Sequence, residues 1–168
     1  MASGKTHDII NLSAFPVFVY YLKPDSFIGF FAGYMIGTFF LSPDNDIFHS
    51  KPNKRWKFLR FIWKPYTKIF AHRGISHIPV VGILFKILYL SVVFIFLLAF
   101  ILGLLFLASY FAGIKIEIPT KGVSQETLKG ILLTPFSISF FVGLILAEIV
   151  HILTDVVYSF FKKAFRFS

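Results

Sequence analysis

The sequence contains no cysteine, so it forms no disulfide, has no thiolate metal site and offers no cysteine nucleophile. Charged residues are also scarce, at 15% of 168 residues, whereas a soluble globular domain has about a quarter. So few charges cannot cover the water-facing surface of a chain that is 57% hydrophobic and contains 24 phenylalanines. The composition therefore favours a single domain with a lipid-facing exterior.

Several functional signatures are missing as well. The chain has no P-loop, no dinucleotide-binding fingerprint and no nucleophile motif. Its polar start lacks the cationic and apolar regions of a signal peptide, and we expect the N-terminus to be mature. The net charge of +9 raises the question of nucleic acid. Because the cations fall in the connections between apolar runs, no nucleic-acid partner is expected.

Four apolar stretches predict an all-α fold, a polytopic membrane bundle of four transmembrane helices in one domain covering residues 1–168. The predicted elements are a helical hairpin over 9–41, one long helix over 76–113 and a C-terminal helix over 130–161. Each segment of the hairpin is shorter than the roughly 20 residues of a normal span. We therefore expect tilt or a locally thin bilayer there.

Between the hairpin and the long helix lies a basic loop, residues 45–73, that we predict to be cytoplasmic and interfacial. Apolar residues recur in it at helical spacing, namely Trp56, Leu59, Ile62 and Trp63. Arg55, Lys57, Arg60 and Lys64 fill most of the remaining positions of the segment 55–65, which is typical of an interfacial amphipathic helix. The alternative is a helix packed on the protein's own core. Membrane lipids with anionic headgroups are the expected partners, near three cations, Lys54, Arg55 and Arg60.

An even number of crossings returns both termini to one side of the membrane. That side holds twelve of the lysines and arginines, and the opposite side holds four. The positive-inside rule then places the termini and the basic loop in the cytoplasm, for a multi-pass protein of the inner (cytoplasmic) membrane.

The same topology brings every histidine to the cytoplasmic face: His7, His49, His72, His77 and His151. Four of the eight carboxylates lie beside them, namely Asp8, Asp44, Asp46 and Asp155. Taken separately, each piece has an ordinary structural explanation. The Pro43–Asp46 segment is also a common turn after a helix. The pair His151 and Asp155, four residues apart, is also a common hydrogen-bonded pair on one helix face.

Taken together, these side chains predict a metal site at the cytoplasmic end of the bundle. Imidazole and carboxylate without sulfur suit a divalent ion, with zinc as the first expectation and manganese or iron as alternatives. The predicted ligands are His7, Asp8, Asp44, Asp46, His72, His77, His151 and Asp155. Eight candidates exceed one tetrahedral shell, so we expect two ions, or one ion whose ligands are held by further carboxylates.

A resemblance rests on motifs that appear in one order along nearly the whole chain: Ser3–Asp8, Pro43–Asp46, Arg55-Trp56, Trp63–Tyr66, His72–His77 and His151-x3-Asp155. They resemble a family of small prokaryotic membrane proteins described as metal-binding, which is similar to membrane-bound metal-dependent hydrolases. The resemblance implies a hydrolase-like site carried by His7, Asp44, Asp46, His72, His77, His151 and Asp155. A more distant likeness is to zinc-dependent phospholipase C. His49 and Glu148 do not match the pattern.

The leading functional prediction is metal-dependent hydrolysis of a phosphoester in a lipid or membrane-associated substrate. Arg73 is predicted to clamp the phosphate through bidentate contacts, and Asp46 is predicted to take part in catalysis. The alternative is a metal-binding membrane protein without catalysis, either a sensor or a protein stabilised by its metal. Such a protein is expected to have a closed coordination shell.

Overall fold

The computed structural model describes residues 3–70, 74–113 and 124–165. Within these ranges the chain is helical and contains no strand, which confirms the all-α prediction. The α-helices are α1 (Gly4–Leu22), α2 (Phe27–Phe39), α3 (Lys51–Arg55), α4 (Trp63–Ile69), α5 (Val81–Ala112), α6 (Gln125–Leu132) and α7 (Pro135–Ala164). Three 3₁₀ turns connect some of them: Pro43–Asp46, Lys57–Ile62 and Ile75–His77.

Hydroxyl side chains cap the start of five of these helices. The capping residues, each accepting a hydrogen bond from the backbone N–H three residues on, are Ser3, Ser26, Ser50, Ser124 and Thr134. Such a cap satisfies one of the amide groups that a helix leaves unpaired at its start. Helix α1 ends at Lys23, which adopts a left-handed conformation with φ of 43°. The short connection Lys23–Ser26 then turns the chain back into α2.

Helices α2 and α7 pack backbone against backbone through glycines. On α2, Gly29, Gly33 and Gly37 recur every four residues and form one small-residue face. A Cβ atom at Gly33 would lie 1.9 Å from the Phe140 carbonyl oxygen, which is closer than atoms approach. On α7, a Cβ atom at Gly143 would lie 2.4 Å from the carbonyl oxygen of Phe30. This close approach is the packing that joins helices in membranes.

Two helices in the described part of the chain, α5 and α7, are long and apolar enough to cross a membrane, by length and composition. Helix α2 has 13 residues, about 20 Å of helix, which is short against a hydrocarbon core of about 30 Å. The predicted bundle of four transmembrane helices therefore stays a prediction. The structure supports two candidate spans and one shorter apolar helix.

Proline residues set two boundaries differently from the prediction. Helix α5 begins at Val81 rather than at 76, because the residue before Pro79 is held extended, with ψ of 116° at Ile78. The second boundary is in the C-terminal helix predicted over 130–161. Its first residues belong to α6, and most of the rest belong to α7. Pro135 is the first residue of α7, where its missing N–H costs nothing.

The basic region is not the single amphipathic helix that we predicted. It consists of α3, the 3₁₀ turn Lys57–Ile62 and α4. Trp63 and Tyr66 are fully buried and form a core cluster with Leu41, Ile83 and Leu144. The alternative of a helix packed on the protein's own core therefore holds for α4. The apolar residues whose spacing predicted one α-helix belong instead to a 3₁₀ turn, which has three residues per turn, and to the α-helix that follows it.

Candidate metal centre

Four side chains from three parts of the chain converge at one end of the structure. They are Asp44 from the 3₁₀ turn after α2, His77 from the turn before α5, and His151 and Asp155 from α7. One ligand atom from each lies within 4.8 Å of those of the others. Asp44, His151 and Asp155 are buried and His77 is nearly so. The pair on α7 shares a face because its members are four residues apart.

The separations between these donors suit a metal ion. His151 Nε2 lies 3.5 Å from Asp44 Oδ1, and His77 Nε2 lies 3.9 Å from the same oxygen. In a tetrahedral site with bonds of about 2.0–2.1 Å, neighbouring donor atoms are about 3.3 Å apart. Small side-chain adjustments would therefore bring these atoms into one coordination shell.

His7 extends the cluster from the first helix. Its Nε2 lies 3.3 Å from Asp155 Oδ1, and its ring stacks on His151 with 3.7 Å between centroids. Two hydrogen bonds fix the helix turn that carries it. The Asn11 side chain donates to the His7 carbonyl, and the Tyr34 hydroxyl of α2 donates to the Asn11 carbonyl.

Asp46 adds a carboxylate from the same turn as Asp44. Its Oδ2 lies 3.4 Å from His77 Nδ1, so His77 faces a carboxylate on each side. An amide pair holds the turn: Asn45 donates to the side chain of Asn53, and Asn53 donates to the carbonyls of Asn45 and Ile47. Asn53 is fully buried, and its two donated bonds satisfy backbone carbonyls of the turn.

Ser42 orients the imidazole of His151. The Ser42 hydroxyl lies 3.2 Å from His151 Nδ1, which leaves Nε2 to face Asp44. The same hydroxyl accepts from the Asp44 backbone N–H at 3.4 Å. Hydrogen bonding of one ring nitrogen is the usual way in which proteins direct the other toward a metal.

The protonation of Asp44 also suits a ligand. Burial raises the pKa of its carboxyl, but the interaction with His151 and the charges of His151 and His7 outweigh that effect. The net result is a pKa below the ordinary value. Asp44 is therefore an anion at neutral pH, which is the form that binds a metal.

The other predicted residues lie elsewhere or outside the described ranges. Asp8 pairs with Lys51 and, at 2.6 Å, with Arg55 rather than joining the cluster. His49 is exposed and lies 2.9 Å from Arg60. His72 and Arg73 are outside the described residues, so their predicted roles as ligand and phosphate clamp stay predictions.

A buried ion pair beneath the centre was missed by the sequence analysis. Lys86 of α5 is fully buried and donates to Glu148 Oε1 and to the Leu41 carbonyl, each at 2.9 Å. Glu148 also accepts from the Val80 backbone N–H at 3.1 Å. Glu148, His151 and Asp155 follow one face of α7. The sequence did offer a signal for this pair: a single lysine near the start of one apolar helix and a single glutamate within another.

A cleft of about 370 Å³ opens beside the donors. His77 and Asp155 form its polar wall, while Ile152 and Val156 form much of the rest, together with Ser159. The centre is thus bordered by a space that is largely apolar.

Comparison with known proteins agrees with these observations. Residues 2–165 match the family described as "Uncharacterized metal-binding protein (DUF2227)". The chain belongs to this family. It is also similar to an uncharacterized protein of Aquifex aeolicus (strain VF5), with 41% identity over 136 residues, which is 81% of this chain and 94% of that protein. No solved structure shows significant similarity.

The donor set fits the metal that the family description implies. His7 Nδ1 and Nε2, His151 Nε2 and Asp44 Oδ1 are buried and make no hydrogen bond among the described residues. Buried polar atoms without a hydrogen bond are costly, and a cation would satisfy all of them at once. Nitrogen and oxygen donors suit zinc, manganese or iron.

Proposed function

We propose that this protein is a membrane-embedded metal-dependent hydrolase of phosphoesters, with its centre at the cytoplasmic face of the inner membrane. The observation that carries the proposal is a buried imidazole–carboxylate cluster whose members His77 and Asp155 also line a cleft. A binding site needs only the cluster. A hydrolase also needs space beside it for a substrate.

A divalent ion held by this set would supply a Lewis acid and an acidified water. Asp44, His77, His151 and Asp155 would hold it, and His7 would complete the set from α1. Ser42 keeps the His151 ring turned toward Asp44. Asp46 Oδ2 lies 3.4 Å from His77 Nδ1, where it would orient that ring, and it is the proposed proton acceptor. Arg73, four residues before His77, is the proposed phosphate clamp.

The apolar wall of the cleft supports a substrate with an apolar part. Ile152 and Val156 line it beside the polar groups, and charged residues are few around it. A phosphoester carried by a lipid combines the anionic head and apolar body that such a space accommodates. Helices α5 and α7, each long and apolar enough to span a bilayer, support a location where such substrates are found.

A metal-binding protein without catalysis is the second candidate. The observation that favours it is the depth of the donors, since His7, Asp44, His151 and Asp155 each expose 6% of their surface or less. Five or six buried donors are enough to close a coordination shell, and a closed shell is typical of structural metal sites.

An activity assay distinguishes the two candidate functions. Purified protein is supplied with zinc, manganese or iron and tested on soluble and lipid phosphoesters. The hydrolase predicts metal-stimulated turnover that falls at least about tenfold in Asp44→Asn. Asp25→Asn, which removes an exposed carboxylate at the opposite end of the hairpin, is the matched control and should keep full turnover. Metal binding without turnover on any of these substrates would favour the second candidate.

A further inference from the structure

The basic region presents an exposed apolar stripe that the sequence spacing alone did not reveal. Phe58 and Phe61 are 80% and 63% exposed and lie three residues apart in the 3₁₀ turn, so they share one ridge. The ridge continues into α4 at a spacing of four residues, through Pro65 to Ile69, which is 68% exposed. We refer to Phe58, Phe61, Pro65 and Ile69 as the apolar stripe.

Lysines close in sequence to the apolar stripe make no ion pair within the described part of the chain. Between Asp46 and Glu117 the sequence has no carboxylate at all. In the described part of this region, Lys51 and Arg55 pair with Asp8, and Arg60 lies over the Phe48 ring. The bordering cations that make no ion pair among the described residues are Lys54, Lys57, Lys64 and Lys68.

The position of the apolar stripe along α5 indicates which environment the stripe faces. On the opposite side of α4, Trp63 and Tyr66 pack against Tyr89, and the Tyr89 hydroxyl donates to the Ile62 carbonyl. Beyond Leu90, none of the α5 residues 91–112 is buried. Those 22 residues make about 33 Å of bare apolar helix, which matches a hydrocarbon core of about 30 Å. The stripe lies beside the start of that length.

We propose that the apolar stripe inserts at the boundary between headgroups and acyl chains of an anionic leaflet, with the four bordering lysines on the headgroups. Exposed phenylalanines beside unpaired lysines are the composition of interfacial membrane segments. The site differs from the one predicted from sequence, because Arg55 and Arg60 are engaged within the protein. It does not depend on the proposed hydrolase activity.

The absence of cysteine allows a direct test by spin labels at single introduced cysteines. The full chain carrying Phe58→Cys, Phe61→Cys or Ile69→Cys is reconstituted in phosphatidylcholine vesicles with or without phosphatidylglycerol. Accessibility is measured to oxygen, which concentrates in lipid, and to a nickel chelate, which stays in water. Phe100→Cys on α5 and Ser124→Cys at the start of α6 are the lipid and water references.

In anionic vesicles, the oxygen-to-nickel ratio at the three stripe positions should exceed the ratio at Ser124→Cys severalfold and approach that at Phe100→Cys. Changing all four bordering lysines to Gln should lower the ratio at Phe61→Cys while leaving Phe100→Cys unchanged. Stripe labels as accessible to nickel as Ser124→Cys would overturn the proposal. Spin–spin broadening between copies at these positions would instead identify a protein interface, and equal ratios with and without anionic lipid would refute the role of the lysines.

Discussion

Helices α5 and α7 are both long and apolar, yet they bury different amounts of their surface. Helix α5 has three buried residues, all within its first six, whereas α7 has nine distributed over more than half of its length. The buried residues of α7 include Glu148, His151 and Asp155. Hydrophobicity alone therefore does not separate a helix with a largely exposed apolar surface from one that carries a polar cluster. The difference lies in small residues at its packing face and in ionisable residues at a regular spacing.

The contact that joins the two helices at the centre gives the largest expected effect. Lys86→Met leaves the Glu148 carboxylate buried without its cation, and we expect a loss of about 3–5 kcal/mol in unfolding free energy. Thermal unfolding in detergent measures it. Lys129→Met, on exposed α6, is the control and should change stability by less than about 0.5 kcal/mol. Because the double variant Lys86→Met with Glu148→Gln removes both charges, it should recover part of the loss.

Glycine substitutions test whether α2 and α7 pack closely while α5 does not. Gly33→Ala places a methyl group against the Phe140 carbonyl and should destabilise the fold by about 3 kcal/mol, because helices α2 and α7 must separate. Gly103 on α5 has no atom within 4 Å of a built Cβ, so Gly103→Ala should be neutral or stabilise by up to about 1 kcal/mol. Unfolding in detergent measures both. Equal destabilisation by the two would show that α5 is packed along its length.

The ion pair between Asp8 and Lys51 is more exposed than the pair between Lys86 and Glu148, and we expect the smallest effect on stability from breaking it. Asp8→Asn breaks the ion pair with Lys51, whose side chain is 42% exposed, and weakens the contact with Arg55. Solvent-exposed pairs contribute about 0.2–1 kcal/mol, so the loss in unfolding free energy should stay in that range. Metal content should be unchanged, since Asp8 points to the cations of α3. A large fall in metal content would return Asp8 to the ligand set predicted from the sequence.

Four of the eight ligands predicted from the sequence lie together in the structure, since Asp44, His77, His151 and Asp155 are within reach of one ion. The prediction that they come together was based on the long apolar runs, whose ends were expected on one side of a bundle. The helices themselves were visible as hydrophobic segments, but Pro79 moved the start of α5 and Pro135 separated α6 from α7. Proline acts on one or two residues, a scale finer than a hydropathy pattern.

The residues that hold the candidate ligands in place could not be predicted from the hydropathy pattern. Asn53 and Lys86 reach the centre only through tertiary packing, and nothing near them in the sequence names their partners. Trp63 resembled an interfacial anchor but is fully buried, because the chain changes from a 3₁₀ turn to an α-helix at that residue. The glycine face of α2 was not predicted, although the spacing of Gly29, Gly33 and Gly37 is the small-residue pattern of membrane helices.

We propose that one end of this structure holds a divalent metal through imidazole and carboxylate donors. Elemental analysis of protein purified without added ions, repeated for His151→Ala and His49→Ala, tests it most directly. We expect one or two bound ions in the wild type and in His49→Ala, and much less metal in His151→Ala, because its affinity should be at least about tenfold weaker. Equal metal content in both variants, or none in the wild type even after equilibration with zinc, manganese and iron, would contradict it.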